Sequence, residues 1–355
     1  KMRLFRSHGI TREKSIMTRD SDGDWYYQQV GLGFNYRMTE LQAALGISQM
    51  QRLDEFMGDA LARYYDSRDP LGAKGDFITA PEISQLFGEI IGVWTARKWL
   101  DMGSPAKFNL IELGPGRGTL MADLLRATRH IPGFHSAASI YLVETSRTLI
   151  EKQQTTLNGY NVQWCDHLKD ISSAEPAIII ANEFFDALPV RQFRLANNSW
   201  QECYIDENTV KWIDVDTPPL KSTLPHPAVN DIYEYSDAQK EYANIIHKFQ
   251  GAALIIDYGY FKSAYGDTLQ ALHHHNPCKI IDHIGNADIT SHVDFEWLST
   301  FFSKYRLSTQ SQFLMDNGIA IRYRQLHNDL LRSGYERLIH SRQMGELFKV
   351  LEISI

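Results

Sequence analysis

Residues 108–120 read FNLIELGPGRGTL, an apolar run followed by three glycines at alternate positions. The apolar run predicts a buried strand, and the residues from Leu120 to Ala127 predict a helix. A strand, a glycine turn and a helix in this order let a ligand approach bare backbone at the turn. The stretch therefore predicts an α/β fold with a ligand-binding turn at Gly114–Gly118.

Predicted strands and helices alternate along the chain from about Phe77. Strands are expected at Phe108–Leu113, Ile140–Glu144, Asn161–Trp164, Ala177–Asn182 and Ala252–Asp257, and helices at Ile83–Leu100, Leu120–Thr128 and Arg147–Leu157. Such alternation favours a parallel, doubly wound sheet. An insertion at about residues 190–250 contains short alternating runs, which predict a small antiparallel sheet (Val190–Leu195, Trp200–Ile205, Val210–Val215), and then a helix at about Ser236–Phe249.

The glycine turn also suggests a cofactor. The acidic Glu112 lies two positions before the first of Gly114, Gly116 and Gly118. This spacing is the commoner signature of S-adenosyl-L-methionine (SAM) methyltransferases, whereas dinucleotide dehydrogenases more often show Gly-x-Gly-x-x-Gly. The bare glycines would admit the methionine part of SAM, and the helix N-terminus would take its carboxylate. The alternative is a tight turn that binds no ligand.

Two more acidic residues follow predicted strands. Glu144 ends the second strand, where a carboxylate could accept hydrogen bonds from both ribose hydroxyls. It could equally be an acid that stabilises the N-terminus of the next helix. Asp166 follows the third strand and could accept the adenine amino group, with Trp164 flanking the ring. Both could instead be ordinary cap and core residues.

Candidate catalytic residues follow the fourth strand. Glu183 and Asp186 lie there beside two phenylalanines. Paired carboxylates would suit a cationic methyl acceptor such as an arginine guanidinium, which has a pKa above about 12 and does not lose its proton easily. A carboxylate can hold it by paired hydrogen bonds and orient the attacking nitrogen. A structural turn with a capping Asp is the alternative. His292, in a later segment, could reach the same cleft.

Composition excludes several classes of function. The net charge of −7 gives no reason to expect nucleic-acid binding, and no apolar run approaches the roughly 20 residues of a membrane span. The three cysteines, Cys165, Cys203 and Cys278, form neither a disulfide framework nor a metal-binding pair. They suit a reducing compartment, so we expect the cytoplasm of a bacterium or the mitochondrial matrix of a eukaryote. No metal site is predicted, because the adjacent histidines 273–275 cannot easily converge on one ion.

Several stretches together resemble the MidA-like family of SAM-dependent methyltransferases, over about residues 57–355. They are Tyr64–Gly72, Gly75–Glu89, the glycine turn, Asn182–Pro189, Ile256–Gly259, Gly266–Ala271, Asp288–Phe295 and Gln343–Val350. Their order and density make the resemblance far more specific than a single glycine motif.

The resemblance implies a class I methyltransferase, with a Rossmann-like doubly wound sheet and SAM as cofactor. It also implies that residues 75–89 form part of the cofactor pocket, with Gly75, Phe77, Thr79 and Glu82 as binding residues. The family includes a mitochondrial complex I assembly methyltransferase. A protein substrate, namely an arginine on a complex I-type subunit, is therefore the implied acceptor. The oligomeric state is left open.

The first 56 residues resemble a different family, the pyridoxal-phosphate-dependent nucleotide-sugar aminotransferases. The similar stretches are Leu4–Arg12 and Gly33–Gly46. That family's Schiff-base lysine lies upstream of this stretch, and neither Lys1 nor Lys14 lies in its lysine motif, so no transaminase activity is expected. We interpret residues 1–56 as an aminotransferase-like remnant, a loop followed by a helix at Thr39–Phe56 with an apolar stripe, joined to a methyltransferase domain at residues 57–355.

Two alternatives remain at this point. The chain could be a SAM-binding assembly chaperone with weak catalysis, or a vestigial aminotransferase–methyltransferase fusion that acts on nucleotide sugars. Loss of cellular function in Glu183→Ala would favour the enzyme over the chaperone. Pyridoxal-phosphate absorbance after reconstitution would favour the fusion.

Overall fold

The computed structural model describes residues 10–11, 15–18, 28–30, 51–67, 79–206, 209–224, 227–274, 276–326 and 331–355. The chain forms two compact units, residues 1–51 and 52–355. In the first unit, β1 (Ile10–Thr11) pairs antiparallel with β2 (Gln28–Gln29). The elements discussed below lie in the second unit, except that β3 (Gln51–Arg52) begins at the last residue of the first. The predicted division after Phe56 thus lies five residues beyond the boundary between the two units, and residues 39–50 of the predicted helix lie outside the described residues.

The end of that predicted helix is wrong. Gln51–Arg52 is a short strand, β3, and a helix, α1, begins at Leu53 and continues to Ser67. Helix α1 extends beyond the predicted end at Phe56 because apolar residues keep their helical spacing past that position. Leu53, Phe56, Met57 and Ala60 are buried at helical spacing in one cluster with residues of two small sheets, and Tyr64 is buried one turn further on.

The main sheet confirms the predicted doubly wound fold. Its strands are β4 (Phe108–Leu113), β5 (Ala138–Val143), β6 (Val162–Cys165), β7 (Ala177–Asn182), β12 (Gly251–Tyr260), β16 (Val293–Asp294), β17 (Tyr305–Thr309) and β18 (Phe348–Ser354). They lie in the order β17-β18-β12-β7-β4-β5-β6, with β16 beside the end of β12. Neighbouring strands from β12 to β6 are parallel, and β18 is antiparallel to both of its neighbours.

Helices cover both faces of this sheet. They are α2 (Ala80–Ile83), α3 (Gln85–Asp101), α4 (Thr119–Thr128), α5 (Phe134–Ala137), α6 (Arg147–Thr156), a 3-10 turn at Leu168–Asp170, α7 (Asp237–Ile246), α8 (Phe295–Ser299), α9 (Gln310–Asp316), α10 (Ile319–Leu326), α11 (Arg332–Ile339) and α12 (Met344–Leu347). Alternate residues of β7 enter opposite cores, since Ile178 and Ile180 pack with α3 and α4 while Ile179 and Ala181 pack with α7 and α8. Burial on both faces explains why the central strands read as continuous apolar runs.

The insertion is antiparallel, as predicted. It contains β8 (Arg191–Ala196), β9 (Ser199–Asp206), β10 (Thr209–Val215) and β11 (Ile232–Tyr235), in the order β10-β9-β8-β11. A second small sheet, which the sequence did not predict, comprises β13 (Gln270–His273), β14 (Asn276–Cys278) and β15 (Asp288–Thr290). Across the described ranges, no helix has both the length and the apolar character that a membrane crossing requires.

Helices α3 and α4 pack at unusually close range. A Cβ atom added to Gly88 would lie 2.6 Å from the Cβ of Asp123, and one added to Gly92 would lie 3.1 Å from the carbonyl oxygen of Leu124. Because α4 follows the glycine turn directly, this contact also fixes the turn relative to the sheet.

We therefore expect Gly88→Val to lower the free energy of unfolding by about 2 kcal/mol, because the added carbons force the two helices apart. Urea unfolding followed by circular dichroism measures the change. Gly266→Val is the matched control, since nothing lies within 4 Å of a Cβ at that position, and it should change the free energy by less than about 0.5 kcal/mol. Equal losses in the two variants would show that helix contact is not the cause.

Candidate active site at the strand ends

The carboxyl ends of the parallel strands open into a cavity of about 1080 Å³. Its wall contains most of the predicted site residues: Thr79, Glu82, Glu112, Gly114, Gly116, Glu144, Asp166, Glu183, Asp186 and His292. Gly118 does not line the cavity and instead precedes α4 as its N-cap residue. Gly75 and Phe77 lie outside the described residues. The structure therefore brings together residues that the sequence separates by more than two hundred positions.

Backbone geometry explains the three glycines. Gly114, Gly116 and Gly118 have φ angles of 60°, 55° and 80°, in the left-handed region that favours glycine. A Cβ atom on Gly114 would also lie 2.8 Å from the ring of Phe184. The turn therefore passes directly under an aromatic residue of the loop that follows β7.

Glu112 is a buried acid next to this turn. It is 3% exposed, and burial raises the pKa of its carboxyl to about 8, against the lowering effect of a hydrogen bond from the backbone of Met121. Its Oε2 has no hydrogen-bond partner among the described residues. An acceptor buried without a donor is costly, so a ligand that supplies an N–H or ammonium group would relieve the cost.

Glu82 connects α2 to the start of α4. Its Oε1 accepts a hydrogen bond from the Thr119 hydroxyl at 2.5 Å, and its Oε2 lies 3.7 Å from Arg117 Nη1. The Thr79 carbonyl accepts hydrogen bonds from the backbone N–H groups of Glu82 and Ile83, at 3.0 and 3.2 Å, and so begins α2. Thr79 and Glu82, from the described part of the segment implied by the family resemblance, thus lie in the cavity wall beside the glycine turn.

Glu144 and Asp166 lie at the ends of β5 and β6. Glu144 Oε1 accepts the backbone N–H groups of Thr145 and Ser146 at 3.0 and 2.9 Å, and Oε2 accepts the amide of Gln153 at 3.2 Å. Asp166 is exposed at the rim. Trp164 does not line the cavity, and its indole N–H donates to Gln153 Oε1 at 2.8 Å.

Glu183 has an unusual backbone. Its φ of 50° lies in the left-handed region, which is rare for a residue with a side chain and is found preferentially at functional sites. Its N–H donates to the Ile256 carbonyl at 2.9 Å, and its Oε1 accepts the Ala80 N–H at 3.0 Å and the Asn182 amide at 3.2 Å. Burial is the main cause that raises the pKa of Glu183 to about 7.

Asp186 is held by a residue whose role the sequence did not specify. Asp257, fully buried in β12 one residue beyond its last pair with β7, accepts the backbone N–H groups of Phe185 and Asp186 through Oδ2 at 2.9 and 3.1 Å. Burial raises the pKa of Asp257 well above its usual range, with the nearby Asp186 adding to the effect. Burial likewise raises the pKa of Asp186 to about 6. The Oδ1 of Asp186 has no hydrogen-bond partner within the described part of the chain.

His292 reaches the same wall from the segment after β15. Its backbone N–H donates to Thr268 Oγ1 at 2.9 Å, and its ring lies edge-on to Tyr258 with centroids 5.4 Å apart. Burial, and to a lesser extent the charge of Lys349, lower the pKa of the imidazole. His292 is therefore neutral near pH 7 and able to accept a proton.

Helix α1 contributes Gly58, Leu61 and Ala62 to the cavity wall. The helix at the junction between the two family resemblances is therefore part of the cleft. Elsewhere, His273 stacks on His283 with centroids 4.1 Å apart. The described His, Cys, Asp and Glu residues include no cluster able to hold a metal ion.

Comparisons with known proteins agree with this site. Residues 90–311 match the family model "Putative S-adenosyl-L-methionine-dependent methyltransferase". The mitochondrial protein arginine methyltransferase NDUFAF7 of Rattus norvegicus is 32% identical over 365 residues, covering 88% of this chain and 81% of the relative. The homologous mitochondrial protein of Drosophila melanogaster is 33% identical over 354 residues, covering 84% and 80%.

A solved structure supports the fold. A protein from Burkholderia thailandensis described as a "likely methyl transferase", bound to S-adenosyl-homocysteine, superposes with a TM-score of 0.74 at 23% identity, covering 89% of this chain and 90% of that one. Residues 1–69 separately match the DegT/DnrJ/EryC1/StrS aminotransferase family. Both resemblances expected from the sequence are thus confirmed.

The strand order and the cleft define a class I, Rossmann-like methyltransferase. The chain belongs to the family of S-adenosyl-L-methionine-dependent methyltransferases that its residues 90–311 match, and SAM is its cofactor. The cavity wall fits SAM, since Glu112 Oε2, which has no partner among the described residues, matches an ammonium donor, and Gly116 lines the cavity without a side chain.

Gly114→Ala should weaken SAM binding by at least about tenfold, because the new methyl group displaces Phe184 and closes the turn. Isothermal titration calorimetry measures the affinity. Gly159→Ala is the matched control, because Gly159 also has a positive φ, of 94°, but nothing lies within 4 Å of its Cβ position. Unchanged SAM affinity in Gly114→Ala would exclude the turn from the cofactor site.

Proposed function

We propose that this enzyme transfers the methyl group of SAM to an arginine side chain of a protein, namely a complex I-type subunit. In this proposal Gly114, Gly116, Glu112 and Glu144 hold the cofactor, and Thr79, Glu82 and Asp166 complete the pocket, while Gly118 supports it from outside the wall as the N-cap residue of α4. Glu183, Asp186 and His292 act on the acceptor. Gly75 and Phe77 remain predicted cofactor residues.

The observation that carries the proposal concerns the part of the cavity wall formed by Asn182, Glu183 and Asp186, which we call the acceptor wall. This wall has more hydrogen-bond-accepting oxygens than donors to satisfy them. The Oδ1 atoms of Asn182 and Asp186 are buried and have no partner among the described residues, and Glu183 lies between them in sequence. A guanidinium carries five N–H donors and no acceptor, so it can satisfy several of these atoms at once. A neutral hydroxyl or amine offers fewer donors.

Charge supports the same substrate. Burial raises the pKa of Glu183 to about 7, although the charge of Arg337 lowers it, and raises that of Asp186 to about 6, so the two buried carboxylates favour the binding of a further cation. A bound guanidinium would provide it and lower both pKa values. The site is therefore complementary to a cation in charge as well as in hydrogen bonding.

The reaction requires that the guanidinium be oriented toward the cofactor and that its methylated nitrogen lose one proton. SAM supplies an electrophilic methyl group on a sulfonium. Asp186 accepts hydrogen bonds from the guanidinium and fixes its plane, which directs one nitrogen toward the cofactor. Glu183, whose pKa lies near 7, takes the proton that the nitrogen loses. Neutral His292 offers a second proton-accepting group in the same cavity wall.

The names of the relatives support the acceptor and the compartment. The rat and human relatives are named as mitochondrial protein arginine methyltransferases. On this basis the substrate is a protein and, for a chain of eukaryotic origin, the compartment is the mitochondrial matrix. The complex I-type subunit rests on the family resemblance.

Purified complex I subunits incubated with the enzyme and labelled SAM should acquire label on arginine. Glu183→Gln should lower kcat by about a hundredfold, because the proton acceptor is lost. Glu151→Gln, on the exposed face of α6, is the control and should retain activity. The absence of label on arginine would contradict the proposed substrate.

The same reaction should depend on pH. Since the raised pKa of Glu183 keeps its carboxyl protonated below about pH 7, kcat/KM for the acceptor should rise between pH 6 and 8 as the group ionises. In Glu183→Gln this rise should disappear from the residual activity. An identical profile in both enzymes would assign the proton to another group.

A further inference from the structure

Gln153 is a fully buried residue of α6 that does not itself line the cavity. Its side-chain amide nevertheless contacts two segments that line the cavity and a third that lies beside them. Its Nε2 donates to the Gly116 carbonyl oxygen at 2.7 Å and to Glu144 Oε2 at 3.2 Å. Its Oε1 accepts the indole N–H of Trp164 at 2.8 Å. One side chain thus connects the ends of three adjacent strands, β4, β5 and β6.

The orientation of this amide follows from its partners. An indole N–H can only donate and a carbonyl oxygen can only accept, so Oε1 must face Trp164 and Nε2 must face Gly116. The second N–H then points at Glu144. Both donors of the amide are used, and so is its oxygen, which makes the arrangement specific for glutamine.

Packing reinforces the hydrogen bonds. The Cα of Gln153 lies 3.5 Å from the position of a Cβ on Gly118, so the third glycine of the turn rests against the same residue. Glu144 Oε1 is already held by the N–H groups of Thr145 and Ser146. With Gln153 on Oε2, both oxygens are fixed and the plane of the carboxylate cannot rotate.

We propose that Gln153 is a positioning residue for SAM binding, which fixes the Glu144 carboxylate and the glycine turn relative to each other. It touches neither cofactor nor acceptor and acts through Glu144 and Gly116. The inference rests on the proposed placement of SAM at these two groups. It does not depend on the identity of the acceptor.

The first test is Gln153→Met, which keeps the volume and removes all three hydrogen bonds. SAM affinity measured by calorimetry should fall about tenfold, as expected when a hydrogen bond to a charged group is lost. The KM for SAM should rise in parallel, whereas the KM for the acceptor and kcat at saturating SAM should stay near their wild-type values. A purely structural role would not produce this split.

A matched control is Gln192→Met in the insertion. Gln192 is also buried, and its amide donates to Glu234 Oε1 and Asp267 Oδ1, both at 2.8 Å, away from the cofactor side. It should leave SAM affinity within about twofold of wild type. An equal loss of affinity in the two variants would overturn the proposal.

The decisive test is a double-mutant cycle with Glu144→Ala. If Gln153 acts mainly through Glu144, the effect of Gln153→Met should shrink from about tenfold to at most about threefold in the Glu144→Ala background. The same tenfold factor in both backgrounds would overturn the proposal. Gln153→Glu, which keeps an acceptor for Trp164 but no donors, should lose at least as much affinity and covers the case in which Gln153→Met does not fold. Because these titrations need no acceptor, a failure to methylate arginine would leave their outcome unaffected.

Discussion

The buried carboxylate of Asp257 is the interaction on which both halves of the site depend. It lies within β12 with no exposure, and it accepts the backbone N–H groups of Phe185 and Asp186 in the loop that follows the neighbouring strand β7. These bonds fold the loop after β7 back toward the cavity. Without these hydrogen bonds, two buried N–H groups would lack partners, and the conformation of the loop would be destabilised.

That loop couples the acceptor wall to the cofactor turn. Phe184 lies over Gly114, so closely that a Cβ at that position would be 2.8 Å from its ring. On either side of Phe184, Glu183 and Asp186 line the cavity where we propose that the acceptor binds. In the proposed site, the distance between cofactor and acceptor would therefore depend on packing between the Phe184 ring and the bare backbone of Gly114. Parallel pairing of β4 with β7 supplies the rigid base for this contact.

The sequence predicted the centre of the fold better than its edges, for physical reasons. β4 and β7 begin and end at the predicted residues because both faces are buried and the apolar runs have clear limits. β17 is largely exposed and the strands of the β13–β15 sheet are very short, so their patterns are weak. Glu112, Glu144 and Glu183 could be found because acids at strand ends are a local signal. Gln153 could not, because its three partners lie on segments whose proximity only the folded sheet creates.

The central claim is that the carboxyl ends of β4 and β5 form the SAM site. Calorimetric titration of the full chain with SAM, in wild type and in Glu144→Ala, tests it most directly, with Glu151→Ala on the exposed face of α6 as control. The account predicts saturable binding to wild type and to Glu151→Ala, and a loss of at least about tenfold in Glu144→Ala. Equal SAM affinity in all three proteins would contradict it.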